Sequence, residues 1–279
     1  YEPFQPSGKG DLRRDMQLTV NPNRLDDRRT LLASLNQFRS KVESERSTRG
    51  LDKFQLQALE TLTGGVFDAF DVAKEETKVF ERYDTSKLID PSRISKRWNN
   101  HKRYANHAKN LGKLLLLARR LAERGANFIT VSTDFVWDMH ADNNNATMTE
   151  GMDYVGRPFD HAVSAFIEDV EARGLRDKIL LVCCGEMGRS PKINNKGGRD
   201  HWAGSAPLLL YGGGLQMGQV VGSSTKDGGE PASHRVTIPN LYATIMETIL
   251  DVGAVRSTPG IPGEVSQVIH GASPIRQLM

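Results

Sequence analysis

Three short polar clusters of the sequence combine acidic and histidine side chains. Asp138 and His140 stand in the first cluster, Glu186 in the second, and Asp200 and His201 in the third. Carboxylate oxygens and imidazole nitrogens, without a thiolate, suit zinc, manganese or a similar divalent ion. Two such ions can share a mixed ligand set of this kind. The clusters therefore predict a metal site with these five residues as candidate ligands.

Secondary structure is expected to bring the three clusters together. Short runs rich in β-branched and apolar residues predict strands over residues 127–132, 178–184 and 207–211, with a fourth candidate over 219–222. The first two clusters follow the first two strands, and the third cluster precedes the next strand. Ligands of open α/β sheets bind just beyond the carboxyl ends of the strands. We therefore expect the five side chains to meet at one rim of a sheet.

Apolar residues at helical spacing predict the elements that cover this sheet. The predicted helices span residues 29–45, 51–62, 66–79, 105–124, 159–173 and 239–250, and residues 91–107 are predicted to form a basic surface connection. Helices and strands alternate from residue 105 onward, which is typical of an α/β sheet covered on both faces. The sequence thus predicts a mainly helical region over 1–104 that packs on or caps an α/β metal-site core over 105–279, within one composite domain.

Composition excludes several classes of protein. With 38% hydrophobic and 25% charged residues, the chain has the composition of a globular protein, not of a disordered tail, a collagen or a coiled-coil rod. The formal net charge is only +3, and no block of five or six basic residues occurs, so a nucleic-acid partner is not indicated. No stretch approaches the roughly 18 apolar residues that a membrane span needs.

Each cluster also has a purely structural interpretation. Asp138 and His140 could belong to a hydrated loop, and Asp200 and His201 could form a hydrogen-bonded corner. Glu186 could cap a helix or pair with the nearby Arg189. The coincidence of three such clusters, each where the predicted fold places ligands, favours a shared site.

The same motifs, in this order, resemble those of a known family. The run Trp137-Asp138-Met139-His140, the segment 185–193, the run Gly198-Arg199-Asp200-His201-Trp202 and the glycines at 212–214 look like the C-terminal half of the DUF1501 proteins. These are sulfatase-like members of the alkaline phosphatase superfamily. The similarity covers nearly the whole chain, since residues 23–24 and the helix after them resemble the middle region of these proteins. It implies an alkaline-phosphatase-like α/β fold and a two-metal site that hydrolyses phosphate or sulfate esters.

The resemblance also implies individual roles. Asp138, His140 and His201 would hold one metal, and Glu186 takes the position where relatives place an aspartate for the second. Asp200 would be a further ligand or would orient His201. For catalysis, Arg189 offers a planar donor to the oxygens of an anionic ester, with an ion pair to Glu186 as the alternative.

One part of the superfamily pattern is missing. The serine or threonine nucleophile and another metal-binding aspartate come from an N-terminal segment that this sequence lacks, so we expect a fragment or one part of a longer protein. The leading hypothesis is a zinc-dependent or manganese-dependent hydrolase domain, with one or two ions and a small anionic ester as substrate. By resemblance alone, it is expected in the periplasm or secreted from a bacterium. The alternative is a non-catalytic scaffold or binding protein that keeps the fold.

Overall fold

A computed structural model describes residues 21, 23–28, 30–31, 66–133 and 137–279. Residues 23–28 and 30–31 are helical. The later helices are α1 (Val66–Phe70), α2 (Thr77–Tyr83), α3 (His101–Glu123), α4 (Met148–Gly151), α5 (Arg157–Ala172), α6 (Ile238–Ile249), α7 (Val252–Arg256) and α8 (Gly263–Gly271). The strands are β1 (Leu180–Cys184), β2 (Gly188–Arg189), β3 (His201–Trp202), β4 (Leu208–Gly212), β5 (Ser223–Ser224) and β6 (Pro231–Ser233).

The helices with the clearest apolar periodicity form as predicted. Helix α3 contains the predicted segment 105–124 except its last residue and begins four residues earlier, and Gly125, two residues after its end, has a φ of +88°. That left-handed conformation is easy for glycine, which explains the stop. Helices α5 and α6 lie within two residues of their predicted bounds. At the start of α6, the Thr237 hydroxyl accepts from the Asn240 N–H and the Asn240 side chain bonds back to the Thr237 N–H, which forms a capping box.

The strands pair differently from the prediction. Strands β1 and β4 were both predicted, and they form a two-stranded antiparallel sheet with Leu180 opposite Gly212 and Cys184 opposite Leu208. The pairs β2–β3 and β5–β6 are also antiparallel. The described strands thus form three small sheets in a mixed α/β chain, and they do not form the continuous sheet covered on both faces that alternation predicted.

Two predicted strands are wrong. Residues 127–132 form no ladder with any described segment, and Phe128 within them is 84% exposed. An extended segment becomes a strand only when a neighbour satisfies its N–H and C=O groups. Residues 219–222 likewise pair with no described strand, and Gly222 at their end has a φ of +82°, which lies outside the β region. Strand β5 begins directly after Gly222.

Several predictions for the N-terminal part lie outside the described residues. These are most of the helix predicted over 29–45 and all of the helix predicted over 51–62. The helix predicted over 66–79 is interrupted, since α1 ends at Phe70 and a short 3₁₀ turn, Val72–Lys74, separates it from α2. No helix in the described part of the chain is both long and apolar enough to cross a bilayer.

The chain divides into two compact units. One contains the described residues of Tyr1–Phe80 and Leu116–Thr130, and the other contains Glu81–Leu115 and Val131–Met279. All the candidate site residues belong to the second unit. Its main apolar cluster consists of Ile89, Ile94, Trp98, Tyr104, Ala108, Met139, Ala146, Tyr154 and Val155.

This cluster corrects the prediction of a surface connection over residues 91–107. Ile94, Trp98 and Tyr104 from that segment are at most 6% exposed, and helix α3 begins within it at His101. The basic residues of the segment predicted that it is exposed to solvent. Its three large apolar and aromatic side chains are nevertheless buried in the apolar cluster. Trp98 therefore anchors this segment in the core.

Candidate metal centre

Met139 fixes the first polar cluster to the core. Its side chain is 2% exposed and packs in the main apolar cluster, while its neighbours Asp138 and His140 stay partly exposed. Helix α4 approaches Met139 so closely that a Cβ placed on Gly151 would lie 2.6 Å from the Met139 Cγ. The buried methionine therefore holds two polar neighbours at the edge of the core.

The loop that carries the third cluster forms hydrogen bonds with the backbone of Met139 and His140. The N–H of Arg199 donates to the Met139 carbonyl at 2.8 Å, and the Asn194 side-chain amide donates to the His140 carbonyl at 3.0 Å. Gly198 lies against this segment, because a Cβ there would be 2.2 Å from the His140 carbonyl carbon. Only glycine permits such a close approach of two backbones.

The chain that follows His140 is ordered by a third set of contacts. Ala141 has a φ of +56°, which turns the chain, and its N–H donates to the Ala146 carbonyl. The Ala146 N–H donates to the Tyr104 hydroxyl at 2.9 Å. Burial raises the pKa of Tyr104 to about 12, so this hydroxyl remains neutral over the whole physiological range. His140 is thus held on both sides by backbone contacts.

The β2–β3 pair brings the second and third clusters together. Arg189 in β2 is directly opposite His201 in β3. Side chains of directly opposed residues lie on the same face of an antiparallel pair. Arg189 and His201 therefore approach the first cluster together, although twelve positions separate them in sequence.

Asp138, His140 and His201 converge into one cluster. The Nε2 atom of His201 lies 2.9 Å from Oδ1 of Asp138 and 3.1 Å from Nε2 of His140. The Nε2 atom of His140 lies 3.4 Å from the same Asp138 oxygen. Two ring nitrogens this close need a proton or a cation between their lone pairs. The contact is therefore satisfied by one ring N–H that donates to the other ring, or by a metal cation between the two rings.

These separations suit a single small divalent ion. Two zinc–nitrogen bonds of about 2.0–2.1 Å at a tetrahedral angle place their nitrogens about 3.3 Å apart. The three ligand-to-ligand separations, 2.9, 3.1 and 3.4 Å, bracket that value. In the described part of the chain, this is the one group of three or more acidic, histidine or cysteine side chains that is close enough to hold a metal.

Arg189 bonds to the same aspartate. Its Nη2 donates to Oδ1 of Asp138 at 2.8 Å, its Nε to the Trp137 carbonyl at 3.0 Å and its Nη1 to the Gly188 carbonyl at 3.1 Å. The side chain is 17% exposed. The guanidinium is thus aimed at the cluster, and its main ion pair is with Asp138 instead of the Glu186 that the sequence suggested.

The other two predicted ligands lie outside the three-residue cluster. Glu186 is 67% exposed, and its Oε1 is 3.7 Å from Nη2 of Arg189. Asp200 is also 67% exposed, and its Oδ1 is 3.6 Å from Nδ1 of His140. Asp200 therefore faces His140, whereas the resemblance implied either a further ligand or a residue that orients His201. The structure gathers ligands for one ion and places no described ligand set around Glu186 for a second.

Sequence reasoning missed the residues that support the cluster. Met139, Asn194 and Gly198 fix the positions of the ligands but carry no metal-binding chemistry. The only signal for Met139 was an apolar residue between two polar ones, and Gly198 stood in a glycine pair that also suits an ordinary turn. Asn194 and Gly198 contact His140, more than 50 positions earlier in the chain, and Met139 packs against Gly151, twelve positions later.

Comparisons with known proteins place the chain in a family without assigning an activity. No curated protein matched the chain, and no solved structure matched it. A family model described as "Protein of unknown function (DUF1501)" matched residues 1–272. That range contains every residue of the candidate metal centre, and we conclude that the chain belongs to the DUF1501 family.

Proposed function

We propose that this protein is a metal-dependent hydrolase of phosphate or sulfate esters, of the alkaline phosphatase type. The observation that supports it most is the convergence of Asp138, His140 and His201, whose ligand atoms all lie within 4.8 Å of one another. The residues come from segments about 60 positions apart, and two backbone loops and a cross-strand pair hold them together. The sulfatase-like resemblance of the motifs supports the same reaction class.

The number of ligands favours a catalytic site over a structural one. Structural zinc sites are usually closed by four protein ligands, whereas catalytic sites use three and leave one position for water or substrate. Here three ligands come together. The side chain of His201 is 52% exposed, so the cluster is open to solvent. We therefore propose one zinc ion, with manganese as the alternative.

Arg189 gives the site its preference for an anion. A guanidinium has five N–H donors, and three of them bond to Trp137, Asp138 and Gly188. The two that remain can donate to the oxygens of a phosphate or sulfate group. Because the Trp137 and Gly188 carbonyls fix two of its donors, Arg189 would hold those oxygens in a defined orientation. A bound divalent ion would polarise the ester and activate a water molecule.

Ester hydrolysis by the purified chain tests the proposal. We expect zinc or manganese to support release of the aryl alcohol from an aryl phosphate or an aryl sulfate, and His140→Ala and His201→Ala to reduce it to the level of buffer. His270→Ala is the matched control, since His270 is an exposed histidine in α8 outside the cluster. Turnover that survives a chelator would contradict the proposal. A metal-loaded protein that hydrolyses neither ester would favour the non-catalytic scaffold.

A further inference from the structure

One oxygen of Asp138 bonds to two different partners. Oδ1 accepts from Nη2 of Arg189 at 2.8 Å and lies 2.9 Å from Nε2 of His201. The same atom is the one that Asp138 offers to the three-residue cluster, 3.4 Å from Nε2 of His140. The guanidinium and a cation in the cluster would therefore share one ligand atom.

We propose that Arg189 couples the binding of the cation to the binding of the anion. With neither bound, Arg189 neutralises Asp138 and so weakens the site for metal. A tetrahedral anion that bonds to Arg189 and lies beside the cation offsets the repulsion between the two positive charges. Each ligand then increases the affinity for the other. This inference rests on the proposed function, and it adds a linkage that ester hydrolysis alone does not require.

Electrostatics gives the sign of the coupling. Two positive groups on one carboxylate oxygen repel each other, and screening by water is reduced because Arg189 is 17% and Asp138 25% exposed. Removing the guanidinium removes both the repulsion and a competitor for Asp138. Metal affinity without an anion is therefore expected to rise when Arg189 is made neutral.

The surroundings of Arg189 allow it to change partners. The Oε1 atom of Glu186 is 3.7 Å from Nη2 of Arg189, and its side chain is 67% exposed. A short movement of this exposed carboxylate would let it accept the hydrogen bond from Arg189 that Asp138 gives up. Glu186, predicted from the sequence as a ligand, thus has a role as the second partner of Arg189.

A zinc titration of the purified full chain tests the coupling. Zinc affinity is measured by competition with a chromogenic chelator, in chloride and in sulfate at equal ionic strength. The variants are Arg189→Met, Arg189→Gln and the control Lys192→Met, which removes the same charge from an exposed position three residues away. Thermal unfolding in chelator confirms that each variant is folded. One folded Arg189 variant is sufficient to test the coupling.

The expected results differ between the variants. In the wild type and in Lys192→Met, sulfate increases zinc affinity by roughly five-fold or more, the lower end of typical couplings. In the Arg189 variants, zinc binds more tightly in chloride than in the wild type, and sulfate has no further effect. If the wild type binds zinc but the Arg189 variants keep both its affinity and its sulfate response, the coupling is overturned and the proposed function stands. If neither the wild type nor any variant binds zinc or manganese, the proposed function fails as well.

Discussion

Arg189 and His201 face each other across the β2–β3 pair, and each places one nitrogen within 3 Å of the same oxygen of Asp138, at 2.8 and 2.9 Å. Asp138 is therefore both a candidate ligand and the counter-charge of a largely buried guanidinium. Its removal is expected to affect stability even when no metal is bound.

We predict that Asp138→Ala destabilises the metal-free protein by about 1–3 kcal/mol, because a partly buried guanidinium loses its charged acceptor. Urea unfolding in the presence of a chelator measures this change. The double variant Asp138→Ala/Arg189→Met is the control, and it should recover part of the loss because no charge is left without a partner. Additive losses in the double variant would contradict the ion pair.

Gly198→Ala is expected to disturb the site without changing any ligand. A Cβ at this position would lie 2.2 Å from the His140 carbonyl carbon, so the two backbones must move apart. We predict a loss of about 1–3 kcal/mol in unfolding free energy and a fall of about 10-fold to 100-fold in zinc affinity. Chelator competition and urea unfolding measure the two effects.

A second glycine provides the control for that experiment. Gly263 begins helix α8, and a Cβ there would meet no atom within 4 Å. Gly263→Ala should therefore leave zinc affinity unchanged. Equal zinc affinities for the two alanine variants would show that close packing at Gly198 does not position His140.

His107 is expected to make the protein sensitive to mild acid. It is 3% exposed, with Nδ1 2.8 Å from the Thr133 hydroxyl and Nε2 3.3 Å from the Val155 carbonyl. Burial lowers the pKa of His107, and the bond to the Val155 carbonyl only partly opposes this. The folded protein therefore binds fewer protons than the unfolded chain once the pH falls below the unfolded value of about 6.5. The free energy of unfolding is therefore not reduced by His107 above that pH, and it decreases as the pH falls below it.

Comparison with His107→Gln isolates this contribution. The difference in unfolding free energy between the wild type and the variant should be larger at pH 8 than at pH 5.5. His270→Gln, at an exposed position, should show no such change with pH. A constant difference for His107→Gln would mean that the buried ring does not gain a proton on unfolding.

The buried ion pair in the first unit gives a further prediction. Arg119 and Glu75 bond to each other and are 1% and 6% exposed, and Arg120 bonds to the same Glu75 oxygen. Glu75→Gln is expected to destabilise by about 1–3 kcal/mol, because two shielded guanidinium groups lose a charged partner while Arg119 keeps its pair with Glu123. Asp153→Asn breaks a pair with Arg157 that is about half exposed, and it should cost at most about 1 kcal/mol. Equal effects of the two variants on urea unfolding would contradict a buried network.

Sequence patterns predicted the elements that a helical apolar stripe or a short apolar run specifies. The apolar stripe and closing glycine of α3 gave its extent to within a few residues, and β1 and β4 were placed by their apolar runs. Patterns that depend on a partner were less informative. Residues 127–132 have the composition of a strand, but no described neighbour pairs with them.

In the candidate site too, residue types were informative, whereas the tertiary contacts between them could not be predicted. Residue types alone pointed to Asp138, His140 and His201, since carboxylates and imidazoles are metal ligands in any fold. Their separation from Glu186 and Asp200 could not be predicted, because it depends on the Arg189–His201 register and on the approach of Gly198 to His140. In α3, the burial of Arg119 depends in the same way on a distant partner, Glu75, which no local pattern identifies.

Zinc titration of the purified chain, followed by calorimetry, shows whether Asp138, His140 and His201 bind a metal ion. We expect one zinc ion per chain, and no binding at that site in His140→Ala or His201→Ala, while His270→Ala binds as the wild type does. A wild-type chain that binds no zinc or manganese, or cluster variants that bind as tightly as the wild type, would contradict it.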